Sequence, residues 1–255
     1  MTRLVTQDPR GKARTGLRAI LWPGALLCMA GLISACGLID PDITEFRFVT
    51  EDKEFTIDTG NWGLSGEGKF PRIPCDPAND QCIAASMAYC TSGENAECTA
   101  SCTPANSCQV TVLASLDSEI KLSEENEFQS INNQPLARVS VESVEYQIVE
   151  NTLEVPSPVL DIFVGPLGTT APSQLDARPI GSVDSVEART KKSWTAIEFT
   201  AQGRDALRTL MEGEEYKSPF NVIISTRLDI VEKDPIPSGH VRVGVRITAS
   251  ARPGF

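Results

Sequence analysis

Six cysteines fall within 34 residues of this 255-residue chain: Cys75, Cys82, Cys90, Cys98, Cys102 and Cys108. Thiols at this density do one of two things: as thiolates they ligate a soft metal, or they oxidise in pairs. The spacing C-x6-C-x7-C-x7-C-x3-C-x5-C contains no CxxC pair, and His240, the only histidine, lies far along the chain, so the pattern of a zinc site is missing. Pairing needs an oxidising compartment. Three bridges, at about 2–4 kcal/mol each, would stiffen a segment that offers little besides Ile83, Met87, Tyr89 and alanines for a core of its own. Sequence does not choose among the pairings.

Other residues of catalytic type form weaker patterns. Gly63-Leu-Ser-Gly-Glu-Gly68-Lys69-Phe70 matches GxxxxGK, but Phe70 stands where a phosphate loop needs Ser or Thr for magnesium, and Pro71 prevents a helix in the usual register. It reads as a flexible turn. A serine-histidine hydrolase would have to use His240, yet no GxSxG occurs, and Ser238-Gly239-His240 reads as a turn leading into a strand. Asp76-Pro-Ala-Asn-Asp80 lacks the third-position ligand and the central glycine of an EF-hand loop. Acids are plentiful, so a glycosidase-like carboxylate pair is an alternative, but Glu124-Glu125 and Glu214-Glu215 read first as solvated faces. Trp62 and Trp194 could stack on sugar rings, and a core role is preferred. These patterns imply no enzyme, no metal and no cofactor.

Cys36 has a different setting. Residues 1–18 carry Arg3, Arg10, Lys12, Arg14 and Arg18 against Asp8, and residues 19–35 carry no charge, which is the layout of an export signal. An apolar run of 17 residues containing Pro23-Gly24, Gly31 and Ser34 is at the lower limit for a spanning helix, so a retained anchor is the lesser reading. Ile33-Ser34-Ala35-Cys36, a branched aliphatic, two small residues and then cysteine, resembles the lipobox of bacterial lipoproteins. The resemblance covers residues 1–36 only. It implies removal of residues 1–35, a diacylglyceryl group on the Cys36 sulfur, and an acyl chain such as palmitate on its amine. Two or three such chains, at about 0.8 kcal/mol per buried methylene, anchor firmly where one would be marginal. Gly37 replaces the Asp that marks inner-membrane retention in well-studied Gram-negative lipoproteins, so the outer membrane is expected.

The chain that folds is then 36–255, with 18 basic residues against 33 acidic ones and a formal charge of −15. That charge argues against nucleic acid as a partner and against electrostatic adhesion to anionic lipid. The length suffices for one sizeable core and a small satellite. Export also decides the six clustered cysteines in favour of disulfides.

Strands must position these groups. EFRFV and EFTID place Phe46 with Phe48 and Phe55 with Ile57 on single faces around the turn-like Glu51-Asp52-Lys53, which predicts a hairpin. QVTVLASL alternates Val110, Val112, Ala114 and Leu116, and KLSEENEFQSINNQP reads as a loop with one short helical turn. LARVSVESVEYQIV switches its apolar phase between Val141 and Val144, which predicts a bulge or bend. VLDIFVG, SWTAIEFTA, FNVIISTRLDI and HVRVGVRIT follow, divided by EVPSP, GPLGTTAPS and KDPIPSG. In the last strand Val241, Val243, Val245 and Ile247 form an aliphatic face, and the chain from Arg252 on is expected to be dispensable. One helix, 203–213, sets Leu207, Leu210 and Met211 on one face before Gly213 and reads as a cap on an open end of the sandwich.

The expected fold is mainly β: an antiparallel β-sandwich or barrel with one short helix and a small disulfide-rich insertion. The expected organisation is a signal peptide at 1–35, a lipidated tether at 36–45 and a β domain at 46–255 containing the cysteine-rich segment 75–108. The expected function is that of a membrane-anchored envelope lipoprotein whose β domain is non-catalytic and binds another protein or a surface polymer. The alternatives are a carboxylate-based enzyme and a small-ligand carrier, in the periplasm or on the surface.

Overall fold

Alternating β-branched residues set the architecture. Along 241–251 every second residue, from Val241 to Ala251, is buried, and in FNVIISTRLDI the side chains of Phe220, Val222 and Ile224 join the same core. The computed structural model describes residues 45–62, 64, 68–76, 82, 84, 87–93, 95–129 and 134–254. Ten strands form there: β1 (Phe46–Val49), β2 (Lys53–Asp58), β3 (Ala96–Cys102), β4 (Cys108–Ile120), β5 (Leu136–Asn151), β6 (Leu160–Pro166), β7 (Arg178–Val183), β8 (Lys192–Ala196), β9 (Phe220–Ile230) and β10 (His240–Pro253). They make two five-stranded antiparallel sheets, the first of β1, β2, β10, β5 and β8 and the second, in order, of β3, β4, β9, β6 and β7.

The expected hairpin at the start does not form. Strands β1 and β2 both pair with β10, Phe46–Val49 opposite Ala251–Thr248 and Lys53–Asp58 opposite Val245–His240. They are two halves of one strand, interrupted at residues 50–52. Buried positions change there from even (Phe48) to odd (Phe55, Ile57), which is what one extra residue does. Thr50 pins the interruption: its N–H donates to the Ile247 carbonyl at 2.9 Å and its Oγ1 accepts from the Ile247 N–H at 3.0 Å. In β5 the predicted bulge is found, since Val141 faces Ala249 and Ser143 faces Thr248, leaving Glu142 as the extra residue.

With β1–β2 counted as one strand and β3 set aside as an added edge, the pairs are nested: β1–β2 with β10, β4 with β9, β5 with β8, β6 with β7. A chain doubled back at its middle into one long ribbon gives such pairs. Here alternate pairs fall in opposite sheets, which makes the sandwich a jelly roll. Both ends of the domain therefore lie at one end of the sandwich, with the connections 121–135, 167–177 and 197–219. The opposite, distal end carries 103–107, 152–159, 184–191, 231–239 and the start of 59–95.

SWTAIEFTA is only partly strand because it changes sheets. The Ile197 N–H donates to the Val144 carbonyl in β5, whereas Phe199 bridges Gly181 in β7 and the Thr200 N–H donates to the Ile180 carbonyl. This crossing closes one side of the sandwich. Thr200 then caps helix α1 (Ala201–Met211), its Oγ1 accepting from the Gly203 N–H at 2.9 Å. Gly203, Leu207 and Met211 are buried against β5, β6 and β7. A Cβ at Gly203 would stand 2.6 Å from the Ile180 Cα, so only glycine allows this approach. Gly213, at φ 70°, follows the helix end.

The stretch expected as a loop also fills the core. Leu122 and Phe128 are buried, and the Phe128 ring lies 4.7 Å from Phe48 and 5.3 Å from Tyr216. Nor is the chain from Arg252 outside the sheet, because Pro253 faces Leu136 and the Gly254 N–H donates to the Pro135 carbonyl at 2.6 Å.

Candidate functional site

The cysteine-rich segment is built onto the sheet. Cys102 ends β3, Cys108 begins β4, and the turn between them places Asn106 at φ 55°. The chain at 73–75 runs beside that turn, with the Cys108 N–H donating to the Ile73 carbonyl at 2.9 Å and the Cys75 N–H to the Asn106 carbonyl at 3.2 Å. This register brings Cys75 to Cys102 and Cys82 to Cys108, with Cα separations of 5.8 and 5.4 Å, and both pairs are disulfide-bonded. With Ile73 and Ala100 they make a second, small core, the satellite that the composition implied. The third bridge, Cys90–Cys98, belongs to the main core beside Trp62. All six clustered cysteines are thus paired. Cys75, Cys82 and Cys108 hold their sulfurs within 4.8 Å of one another, but bridged sulfurs are not thiolate ligands. Cys36, the signal and most of the tether lie outside the described residues.

His240 comes closest to a catalytic constellation. Its Nδ1 lies 3.1 Å from Thr152 Oγ1 and its Nε2 lies 3.6 Å from a Glu150 carboxylate oxygen. Hydroxyl, imidazole and carboxylate are in line, but the hydroxyl is committed: Thr152 Oγ1 accepts from the His240 N–H at 2.9 Å and contacts the His240 carbonyl at 3.2 Å. Glu150 is also shared with Arg242 at 3.5 Å. The group pins the strand ends β5 and β10 together. The glycine-rich run is likewise occupied where described, because Phe70 is buried against Tyr89 and residues 68–70 exchange backbone hydrogen bonds with 233–236. Of the EF-hand-like stretch, residues 77–80 lie outside the described residues. Trp62 is buried, as preferred, whereas Trp194, against the same expectation, is only half-buried and outside the core, covered by the Arg246 guanidinium at 4.1 Å.

Cross-strand ion pairs mark the outer face of the first sheet. Arg47 meets Glu142 at 2.8 Å, Arg246 meets Glu145 at 2.9 Å and Arg252 meets Glu45 at 3.0 Å, a ladder across the first sheet. The hydrogen bond from Arg252 holds the Glu45 carboxyl below its ordinary range, and Lys53 does the same for Glu51. Burial alone would raise the Asp229 carboxyl, but hydrogen bonds from Arg227 and Thr111 outweigh it and leave it lowered. Burial raises the Tyr216 phenol.

Three surface grooves accompany these faces. One of about 500 Å³ is rimmed by Glu51, Glu119 and Glu124, each bonded to Lys53 or Lys121. A second, about 330 Å³, lies on the second sheet over Leu113, Ser115 and Asp117, walled by 95–97 and 170–173. A third, about 350 Å³, follows α1 beside Asp176, Arg178 and Asp205. No helix among the described residues is long and apolar enough to cross a membrane.

Sequence reasoning missed the 167–177 connection as anything beyond a turn. It bends over the second sheet, where the Thr169 carbonyl accepts from the buried Asn221 amide at 3.0 Å. At its ends Leu167 is 58 % and Leu175 91 % exposed. The absence of charge between Asp161 and Asp176 is the one signal in the sequence that could have marked it.

No protein-family model and no curated protein matches the chain. Solved structures that overlay on it include the empty head of turnip yellow mosaic virus, at 11 % identity over 93 % of this chain and 92 % of that one, with a TM-score of 0.27. Another is desmodium yellow mottle tymovirus, at 9 % identity over 98 % of each chain, with a TM-score of 0.23. Overlays this loose carry no argument about the role of the chain.

Proposed function

We propose that this protein is a bacterial envelope lipoprotein: residues 1–35 are an export signal, Cys36 carries the lipid, and the β domain is a non-catalytic module that binds an envelope protein or a surface polymer. The carrying observation is the set of three disulfides, Cys75–Cys102, Cys82–Cys108 and Cys90–Cys98, which belong to an oxidising compartment. They support export independently of the lipobox-like Ile33-Ser34-Ala35-Cys36. Gly37 favours the outer membrane as the destination. The acidic domain points to a partner other than nucleic acid.

The test is crosslinking in intact envelopes followed by capture of this protein. Recovery of one envelope protein or polymer, lost when Cys36→Ser releases the domain from the membrane fraction, is the expected result. Recovery of the wild-type protein in the cytosol with free thiols would overturn the reading.

A further inference from the structure

We propose that the 167–177 loop dips into the apolar layer of the bilayer that holds Cys36; the inference rests on the anchoring reading above. Nested pairing puts this loop at the end of the sandwich where the chain enters at Glu45, since β6 ends at Pro166 opposite Phe220 and β1 begins at Phe46 opposite Ala251. Residues 36–45, fully extended, reach at most about 32 Å. The 14 residues of β10 alone span about 46 Å. A tether shorter than the domain holds the entering end, and not the disulfide-capped end, toward the membrane.

The loop has the chemistry for that surface. In a chain with 22 % charged residues, 162–175 carries none, and Leu175, at 91 %, is the most exposed large apolar side chain among the described residues. Leu167 adds a second leucine at 58 % exposure. Asp176 and Arg178 follow at the base of the loop, where headgroups would meet them. Insertion thus needs no attraction between the acidic domain and anionic lipid.

The leucines are also held in place. Gln174 Oε1 accepts from the Thr170 and Ala171 N–H groups at 2.6 and 3.2 Å, and the Ala177 N–H donates to the Gln174 carbonyl at 3.1 Å. Arg178 donates to the Leu175 carbonyl, and Asn221 holds Thr169 from below. A loop braced at both ends loses little freedom on insertion.

Protein purified from envelopes with its native N-terminus, reconstituted into phosphatidylcholine vesicles with brominated acyl chains, provides the test. Leu175→Trp is compared with Ala105→Trp, which lies in the exposed distal turn, and wild-type emission from Trp62 and Trp194 is subtracted. Both sites are exposed, so neither change threatens folding. The added emission of Leu175→Trp should be blue-shifted and quenched at least about threefold more than that of Ala105→Trp, as expected for a side chain 5–10 Å deep. Equal quenching at the two sites on acylated protein would overturn this inference and leave the anchoring reading intact. Absence of acyl mass on Cys36 would overturn both.

Discussion

Removing the bridges one pair at a time should give a graded loss of stability that follows loop length and burial. Cys90–Cys98 closes a loop with a sequence separation of 8, which in the chain-entropy relation stabilises by about 2.6 kcal/mol. The other two, with separations of 27 and 26, interleave. With one of them intact, the path closed by the other shortens to roughly 14 residues, so either removed alone costs about 3 kcal/mol and both together about 6.5. Cys82 and Cys108 are 0 % exposed, so their replacement by alanine also leaves a small void, adding about 1 kcal/mol. The assay is urea unfolding of 36–255 carrying Cys36→Ser, followed by the fluorescence of buried Trp62. At a slope near 3 kcal/mol/M, Cys82→Ala/Cys108→Ala should lower the midpoint by about 1.3 M. Removing all four cysteines of the interleaved pairs should leave little folded protein, because domains are stable by only about 5–15 kcal/mol. The reasoning fails if Cys90→Ala/Cys98→Ala costs most, or if the interleaved pairs show no non-additivity.

Gly203→Ala should destabilise by about 1–3 kcal/mol in thermal unfolding, because the new Cβ meets the Ile180 backbone and overpacking outweighs the roughly 1 kcal/mol that alanine gains in a helix; a stabilised variant would show that α1 is free to shift. Thr50→Val should cost about 1–3 kcal/mol by leaving the Ile247 N–H without its acceptor, while Thr50→Ser should stay near wild type, as read by denaturant midpoints. Asp229 has a lowered pKa in the folded state, so its contribution is present above the unfolded value of about 4 and is lost as pH falls through the folded one. The stability gap between wild type and Asp229→Asn should therefore narrow on acidification below about pH 4; a gap independent of pH would mean the Arg227 and Thr111 bonds do not hold the charge.

The long strands were legible because their faces are unambiguous: FNVIISTRLDI is β9 from end to end, and the phase switch at Val141/Val144 located the Glu142 bulge. The same signal between Phe48 and Phe55 was overridden by Glu51-Asp52-Lys53, whose charges suit an exposed bulge as well as a turn. Strand β3, AECTASC, alternates only small residues, Ala96, Cys98, Ala100 and Cys102, with Glu97, Thr99 and Ser101, a faint signal for an edge held by bridges; β7, RPIGSV, shows only Ile180 and Val183 to the core. Neither pattern is readable without its neighbours. The pairing of the cysteines depends on the register of 73–75 against the 103–107 turn, a long-range fact. Conversely the residue proposed to carry the lipid was readable only in the sequence, because Cys36 lies outside the described residues.

Mass spectrometry of the N-terminal and cysteine-containing peptides, taken without reduction from envelope-purified protein, tests the anchoring claim most directly. The account predicts a mature chain beginning at Cys36 with a diacylglyceryl group on its sulfur, and cross-linked peptides joining Cys75 to Cys102, Cys82 to Cys108 and Cys90 to Cys98. A chain that begins elsewhere without lipid mass, or one whose six clustered cysteines take up alkylating reagent, would contradict it.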